Sequence, residues 1–359
     1  MKQPSGRARS RRPAPKTRRP RRSARPAVAP SLLKNRPLLL VIATVPVLFL
    51  VWAAWLLAGP GPRSADGRPI DVVLPVGARL PTIASTLAHA HVIGSGLAFI
   101  AAAELTRAAP RLQAGEYEIP SGASMSRVLA MIRDGLIVRH FVTVPEGVPA
   151  KAVVDILDRS DVLTGAAPAP PEGSVLPETY QVRRGETRAE VLARMMQARD
   201  KLLAQSWNER APGLPYDDPE QAVTLASIVE KETAEPDERG RIAGLFINRL
   251  RAGMRLESDP TVIYGLTSGE PLGHPLFTSE LTSPTPYNTY LVTGLPPTPI
   301  ANPGRASLEA ALHPAQTTDL YFVADGTGGH VFAATWADHL KNVAHWRAIE
   351  KTRAGATSQ

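Results

Sequence analysis

Gln221–Thr233 reads QAVTLASIVEKET, and the fold of the chain's body turns on this stretch. Val223, Leu225, Ala226, Ile228 and Val229 leave apolar residues around most of a helix circumference, so the helix is expected to be buried on nearly every side. Glu230 follows Val229 directly. A carboxyl at the end of a buried helix is a candidate general acid, because desolvation favours its neutral form. Glu232, Glu235 and Glu238 compete for the role. The plainer alternatives are an ion pair with Arg239 or Arg241, or exposure where the helix surfaces.

Moving C-terminal, Pro236 opens a second helix with Ile242, Leu245, Phe246 and Leu250 on its core face and Gly253 as its stop. MRLE, 254–257, is expected to be a short strand. Ser258-Asp259-Pro260 then caps a further helix, with capping the bland reading of Asp259. Residues 282–304 (TSPTPYNTYLVTGLPPTPIANPG) form a Pro-braced loop carrying Tyr287, Asn288 and Tyr290, side chains suited to stacking on sugars and bonding their hydroxyls. A rigid structural crossing is the alternative. LYFVADGTGGHVFAAT, 320–335, is an expected hairpin. His330 and His339 lack a ligand partner at helical spacing and read as structural.

N-terminal to the helix, FVTVPEG (141–147) reads as strand and turn, followed by an amphipathic helix through Leu157 and a Pro/Ala loop at 164–173. Residues 69–140 are expected to form a small α+β module. In it, strand Ile70–Leu74 leads into a helix on Leu80, Ile83 and Leu87, and a second helix lies near Leu97–Ala108. A strand at Gly115–Ile119 and a helix on Met125, Val128, Leu129 and Ile132 complete the module. No nucleophile constellation lies within it, so binding or spacing is its expected role.

Leu38–Ala58 is 21 residues without a charge, enough apolar chain for one membrane-spanning helix. Residues 1–37 carry 13 of the chain's 41 basic residues and no acid, and read as a disordered cytoplasmic tail; the rest has 28 basic against 33 acidic residues, net −5. The positive-inside rule therefore places the tail in the cytoplasm and the body outside it, on a single-pass inner-membrane anchor. A topology signal explains the tail better than nucleic acid binding does, so no nucleic acid partner is expected. Residues 59–68 are a Gly/Pro linker, 141–350 the second domain and 351–359 a tail.

With 359 residues and no Cys, disulfides, thiolate metal sites and cysteine nucleophiles are excluded. No phosphate loop, dinucleotide fingerprint, HExxH or GxSxG motif occurs, so no cofactor and no metal are expected.

Several blocks in order resemble the endolytic murein transglycosylases, the YceG-like family. They are LASIVEKET (225–233), GLFINRLRAGMRLESDPTVIYG (244–265), PYNTYLVTGLPP (286–297), HPA (313–315) and LYFVADGTGGHVF (320–332). EGSVLPETY (172–180) and FVTVPEG also fit. The resemblance implies a LysM-like module at 69–140 and a mixed α+β YceG-like catalytic domain at 141–350. It implies Glu230 as the acid/base that cleaves MurNAc–GlcNAc bonds within nascent glycan to leave 1,6-anhydro ends, and so terminates elongation beside cell-wall synthases. Asn248, Asp259, Tyr287 and Asn288 fall inside matching blocks and are the candidates for positioning substrate or Glu230. Ser174, Leu176 and Thr298 depart from the family pattern, which puts subsite preference in more doubt than reaction type. The alternatives are a hydrolytic muramidase on the same bond and a non-catalytic peptidoglycan-binding scaffold.

Overall fold

The structure is a computed structural model that describes residues 36–357, with side-chain surroundings described for 44–353. The expected tail of residues 1–37 lies outside the described residues as far as 35. The chain divides into two compact units, Met1–Gly59 and Pro60–Gln359.

The first unit contains helix α1 (Arg36–Ala58), with Pro46 inside it. Phe49 and Trp52 of this helix lie with ring centroids 5.8 Å apart. Among the described residues no helix is long and apolar enough to cross a membrane. The stretch expected to span, 38–58, begins before the first described side chain at Thr44.

The second unit opens with β1 (Ile70–Leu74), α2 (Leu80–His89), α3 (Gly96–Leu105), β2 (Gly115–Ile119) and α4 (Met125–Arg133). β1 and β2 are antiparallel, Ile70 facing Ile119 and Leu74 facing Gly115. Alternation buries Val72, Leu74, Tyr117 and Ile119, and Ile83, Leu87, Phe99, Val128 and Ile132 of the helices are buried as well. Ser95 and Ser124 cap α3 and α4 by accepting the N–H groups of Ala98 and Arg127.

β3 (His140–Thr143), α5 (Ala150–Asp158), β4 (Thr179–Val182) and α6 (Arg188–Asn208) follow. β3 and β4 pair antiparallel, and Val142, Val182, Val153, Leu157, Val191 and Met195 share one apolar cluster. Glu116 of β2 ties this part to the first. It accepts from Arg184 Nε at 2.9 Å, meets His140 Nε2 at 2.7 Å, and is only 7% exposed. Burial raises the Glu116 carboxyl, but hydrogen bonds from His140 and Arg184 outweigh it and hold the group below its ordinary value.

The largest core surrounds α7 (Pro219–Glu232), packed between α8 (Arg239–Arg251) and α10 (Arg305–Leu312), with α9 (Asp259–Thr267) against its C-terminal part. All eight residues from Ala222 to Val229 are buried, as the apolar circumference requires. Asp218 caps α7 by accepting the Glu220 N–H at 3.0 Å, and Pro219 stands in its first turn. β5 (Tyr321–Ala324) and β6 (His330–Ala333) form the expected hairpin, and α11 (Trp336–Thr357) closes the chain. The tail expected at 351–359 is therefore helical as far as Thr357.

The strand expected at 254–257 does not form. Arg249, 5% exposed, spends its guanidinium on two carbonyls that a strand would have paired, Arg255 O at 3.0 Å and Leu256 O at 3.1 Å, and on Leu320 O at 2.6 Å. Glu257 adopts φ 53°, which breaks extension at once.

Candidate active site

Glu230 lies in the last turn of α7, partly exposed, where the buried helix reaches the surface. Its Oε2 accepts the backbone N–H of Gly304 at 2.9 Å. The expected partners Arg239 and Arg241 do not hold it: Arg241 pairs with Asp319 at 2.6 Å, and Arg239 acts on Glu146. Three loops meet at this end of α7, and buried hydrogen bonds fix each. Ser227 accepts the Ile300 N–H at 3.0 Å and so docks the 298–304 segment on the helix. Gly147 N–H donates to Asn302 O and Asn302 N–H to Val148 O, both at 2.9 Å. The fully buried Asn302 amide accepts from Val175 N–H and donates to Val148 O, each at 3.0 Å. One asparagine thus fastens the 146–149, 172–175 and 300–304 segments together.

A second carboxyl shares this corner. Glu146 lies so close to Gly304 that a Cβ there would overlap its carboxylate, while a Cβ on Gly147 would stand 3.4 Å from Glu230 Cγ. Burial, then the like charge of Glu230, hold Glu146 above its ordinary value, with Arg239 pulling the other way. Glu172 lies deeper. It accepts from Ala150 N–H at 2.8 Å and Tyr264 O–H at 3.2 Å, and burial keeps its carboxyl raised.

Glu232 points elsewhere. Two residues along a helix turn the side chain by about 200°, so Glu230 and Glu232 cannot share a face. The Glu232 carboxyl accepts from Ser258 Oγ, and burial pushes it up to about 7, with Asp259 adding to the rise. Glu238 is committed to the hairpin, accepting from His330 N–H at 2.7 Å and meeting its ring Nδ1 at the same distance. These bonds hold His330 at the start of β6 against Glu238.

The four expected substrate-positioning residues separate. Asn248 Nδ2 donates to Thr317 O at 2.8 Å and Asp319 O at 3.2 Å, bracing the approach to β5 rather than reaching Glu230. Asn288 is fully buried; its Nδ2 donates to Leu281 O and Ser283 O, and its Oδ1 accepts from Tyr290 N–H. It holds its own loop in shape. Asp259 is not a cap: Ser258 occupies that position, and Asp259 instead accepts the Tyr290 O–H at 2.7 Å. Tyr287 packs on Tyr264 with centroids 4.8 Å apart and bonds Thr298 Oγ1 at 2.8 Å. Glu146, Glu172, Asn302 and Gly304 were not singled out from sequence. The signal available was that Glu146 and Glu172 each stand in a short Pro-Glu-Gly run, PEG at 145–147 and 171–173.

The YceG-like family model matches residues 72–345. The "Endolytic murein transglycosylase" of Bacillus subtilis is 31% identical over 304 residues, covering 76% of this chain and 83% of that protein. A protein of the same name from Streptococcus pneumoniae is 34% identical over 180 residues, 48% of this chain and 32% of the other. A crystal structure of a yceG-like protein from Listeria monocytogenes aligns with TM-score 0.47 and 28% identity, over 77% of this chain and 99% of that one. With the family model spanning the body from β1 to α11, the chain belongs to the YceG-like family.

Proposed function

We propose that the chain is an endolytic peptidoglycan transglycosylase with Glu230 as its acid/base, anchored in the membrane by residues 38–58. The observation that carries the reading is Glu230 itself, a partly exposed carboxyl at the end of a buried helix, accepting a backbone N–H from Gly304. The relatives named for this activity support it. Glu230 protonates the leaving glycosidic oxygen as its bond to the muramic acid C1 breaks. The C6 oxygen of the same sugar then bonds to C1, and its hydroxyl proton passes to Glu230. No water is consumed, a 1,6-anhydro end forms, and the intramolecular nucleophile supplies the proximity advantage. The Gly304 N–H steadies the carboxylate between the two proton transfers.

The β1-α2-α3-β2 order of residues 70–119 supports a LysM-like, glycan-holding role for the first module. The uncharged stretch 38–58, with all 13 charges of the tail before it, supports a cytoplasmic N-terminus and an exported body. Glycan strands are the partner this reading requires; cell-wall synthases follow only from the family. Asn248, Asp259, Tyr287 and Asn288 are the candidates for positioning substrate or Glu230, and of the four only Asn288 is buried. The test is mass spectrometry of nascent glycan digested by the full chain and by Glu230→Gln. Internal fragments with anhydro ends from the wild type alone are expected. Reducing ends would make the protein a hydrolase, and bound but uncut glycan would make it a scaffold.

A further inference from the structure

We propose that the cleft between the end of α6, the start of α8 and α10 is a subsite for the peptide stem carried by the glycan, with Arg239 taking a stem carboxylate. This rests on the reading of the chain as a peptidoglycan transglycosylase and names the form of glycan it acts on. The cleft has a volume of about 410 Å³, and Glu209, Arg239, Ala306 and Glu309 stand in its walls. Clefts of roughly 300–1,000 Å³ take a drug-sized ligand, so a short peptide segment fits. Arg239 is partly buried, and its Nε is shut off from solvent without a hydrogen-bond partner. No ion pair or hydrogen bond among the described residues engages its guanidinium. The other arginines on the inner side of α8 are committed: Arg241 pairs with Asp319 at 2.6 Å, and Arg249 binds carbonyls and Glu257. Nothing within the chain offsets the desolvation of Arg239. A ligand carboxylate does so through the paired bonds that a guanidinium favours.

The cleft adjoins the Glu230 corner. Gly304, whose N–H meets Glu230, is the residue before α10, and Ala306 in the first turn of that helix lies in the cleft wall. Arg239 in turn acts on Glu146, which abuts Gly304. The stem hangs from C3 of the muramic acid ring whose C1 bond breaks, so a sugar held at Glu230 presents its stem at close range. Glu209 and Glu309 are exposed on the same walls. One guanidinium beside two carboxylates disfavours a bare polyanion. It suits a peptide that carries both carboxylates and an amine, which is the charge pattern of a stem.

The test is KM and kcat of the full chain in detergent on two preparations of nascent glycan strands, one bearing stems and one stripped by an amidase that cuts the lactyl–alanine bond. Wild type is expected to show a KM about tenfold lower for the stem-bearing strands. Arg239→Gln is expected to raise that KM about tenfold, to the value for stripped strands, with kcat within about twofold. Arg239→Lys, which keeps the charge and loses the fork, is expected to fall between. Equal KM for the two preparations in wild type overturns the proposal, and so does an Arg239→Gln protein whose preference for stems is intact. Should Arg239→Gln fail to fold, Ala306→Glu sets a carboxylate in the cleft wall and is expected to abolish the preference; a preference that survives it overturns the proposal. Full activity in Glu230→Gln ends only the reading of Glu230. Should neither preparation be cut, the reading of the activity fails and binding decides this one: equal retention of stem-bearing and stripped strands by the full chain overturns it.

Discussion

Ser258 stands at the start of α9 yet turns its hydroxyl away from that helix and onto the Glu232 carboxyl of α7. The capping bond is given up, and the hydroxyl serves a half-buried acid instead. Ser258 N–H in turn donates to Thr289 Oγ1 at 3.0 Å, which bonds Thr261 Oγ1 at 2.8 Å. The end of α7, the start of α9 and the Pro-braced loop are thereby joined through one small polar cluster.

Glu232 makes stability depend on pH in a set direction. Its carboxyl titrates at about 7 in the folded protein against an ordinary 4.5, so the folded state binds more protons between those values. Its contribution is full below 4.5 and is lost as pH rises through about 7. Glu232→Gln is expected to flatten the fall in unfolding free energy over that window, by on the order of 2–3 kcal/mol. Urea melts at pH 5 and pH 8 check this; an equal change in unfolding free energy between the two pH values in both proteins would count against a proton-holding Glu232.

Glu230→Gln is expected to lose at least about a hundredfold in kcat, the usual scale for removing a general acid/base. The Gln oxygen can still accept the Gly304 N–H, so the thermal midpoint should stay within a few degrees of wild type. Turnover on glycan and a thermal melt on the same preparation measure both. A large drop in the midpoint would make the loss of activity uninformative about chemistry.

Much of this architecture was legible because its elements carry unambiguous periodicity. The Ile70–Leu74 and Gly115–Ile119 strands fall where alternation placed them, and the apolar circumference of 223–229 made α7 buried. The 254–257 segment misled because its alternation is satisfied without a partner strand: Leu256 is buried while Arg249 takes the carbonyls. α10 passed unread between a Pro-rich loop and the hairpin, being only 8 residues long. Within the site, the block around Glu230 was visible locally. Glu146 was not, since its meeting with Gly304 spans more than 150 residues and no local pattern encodes such a contact.

Glu116 joins the first module to the second, and its removal should loosen them together. Its folded value lies below the ordinary 4.5, so its contribution is present above that pH and is lost as pH falls through the lower folded value. Glu116→Gln is expected to cost about 1–2 kcal/mol at pH 7, discounted because Arg184 is 42% exposed. The difference from wild type should shrink below pH 4. Denaturant titrations at pH 7 and pH 3.5 test it, and a constant difference would show that packing rather than charge is lost.

Asn302 tests whether the corner around Glu230 is held by one buried amide. Its side chain fills the hydrogen-bonding needs of Val175 N–H and Val148 O, and it approaches Glu172 Oε1 at 3.5 Å. Asn302→Ala strands a buried N–H and is expected to cost about 1–3 kcal/mol. Asn302→Asp should cost more, because it sets a second carboxyl beside the raised Glu172 and removes the donor to Val148 O. Both should lower kcat more than they raise KM, since the loops carrying Glu146 and Gly304 lose their common tether while the first module is untouched. Steady-state kinetics beside a denaturant melt decide the point. A destabilised Asn302→Ala protein that still turns over at the wild-type rate would mean the loops hold Glu230 without it.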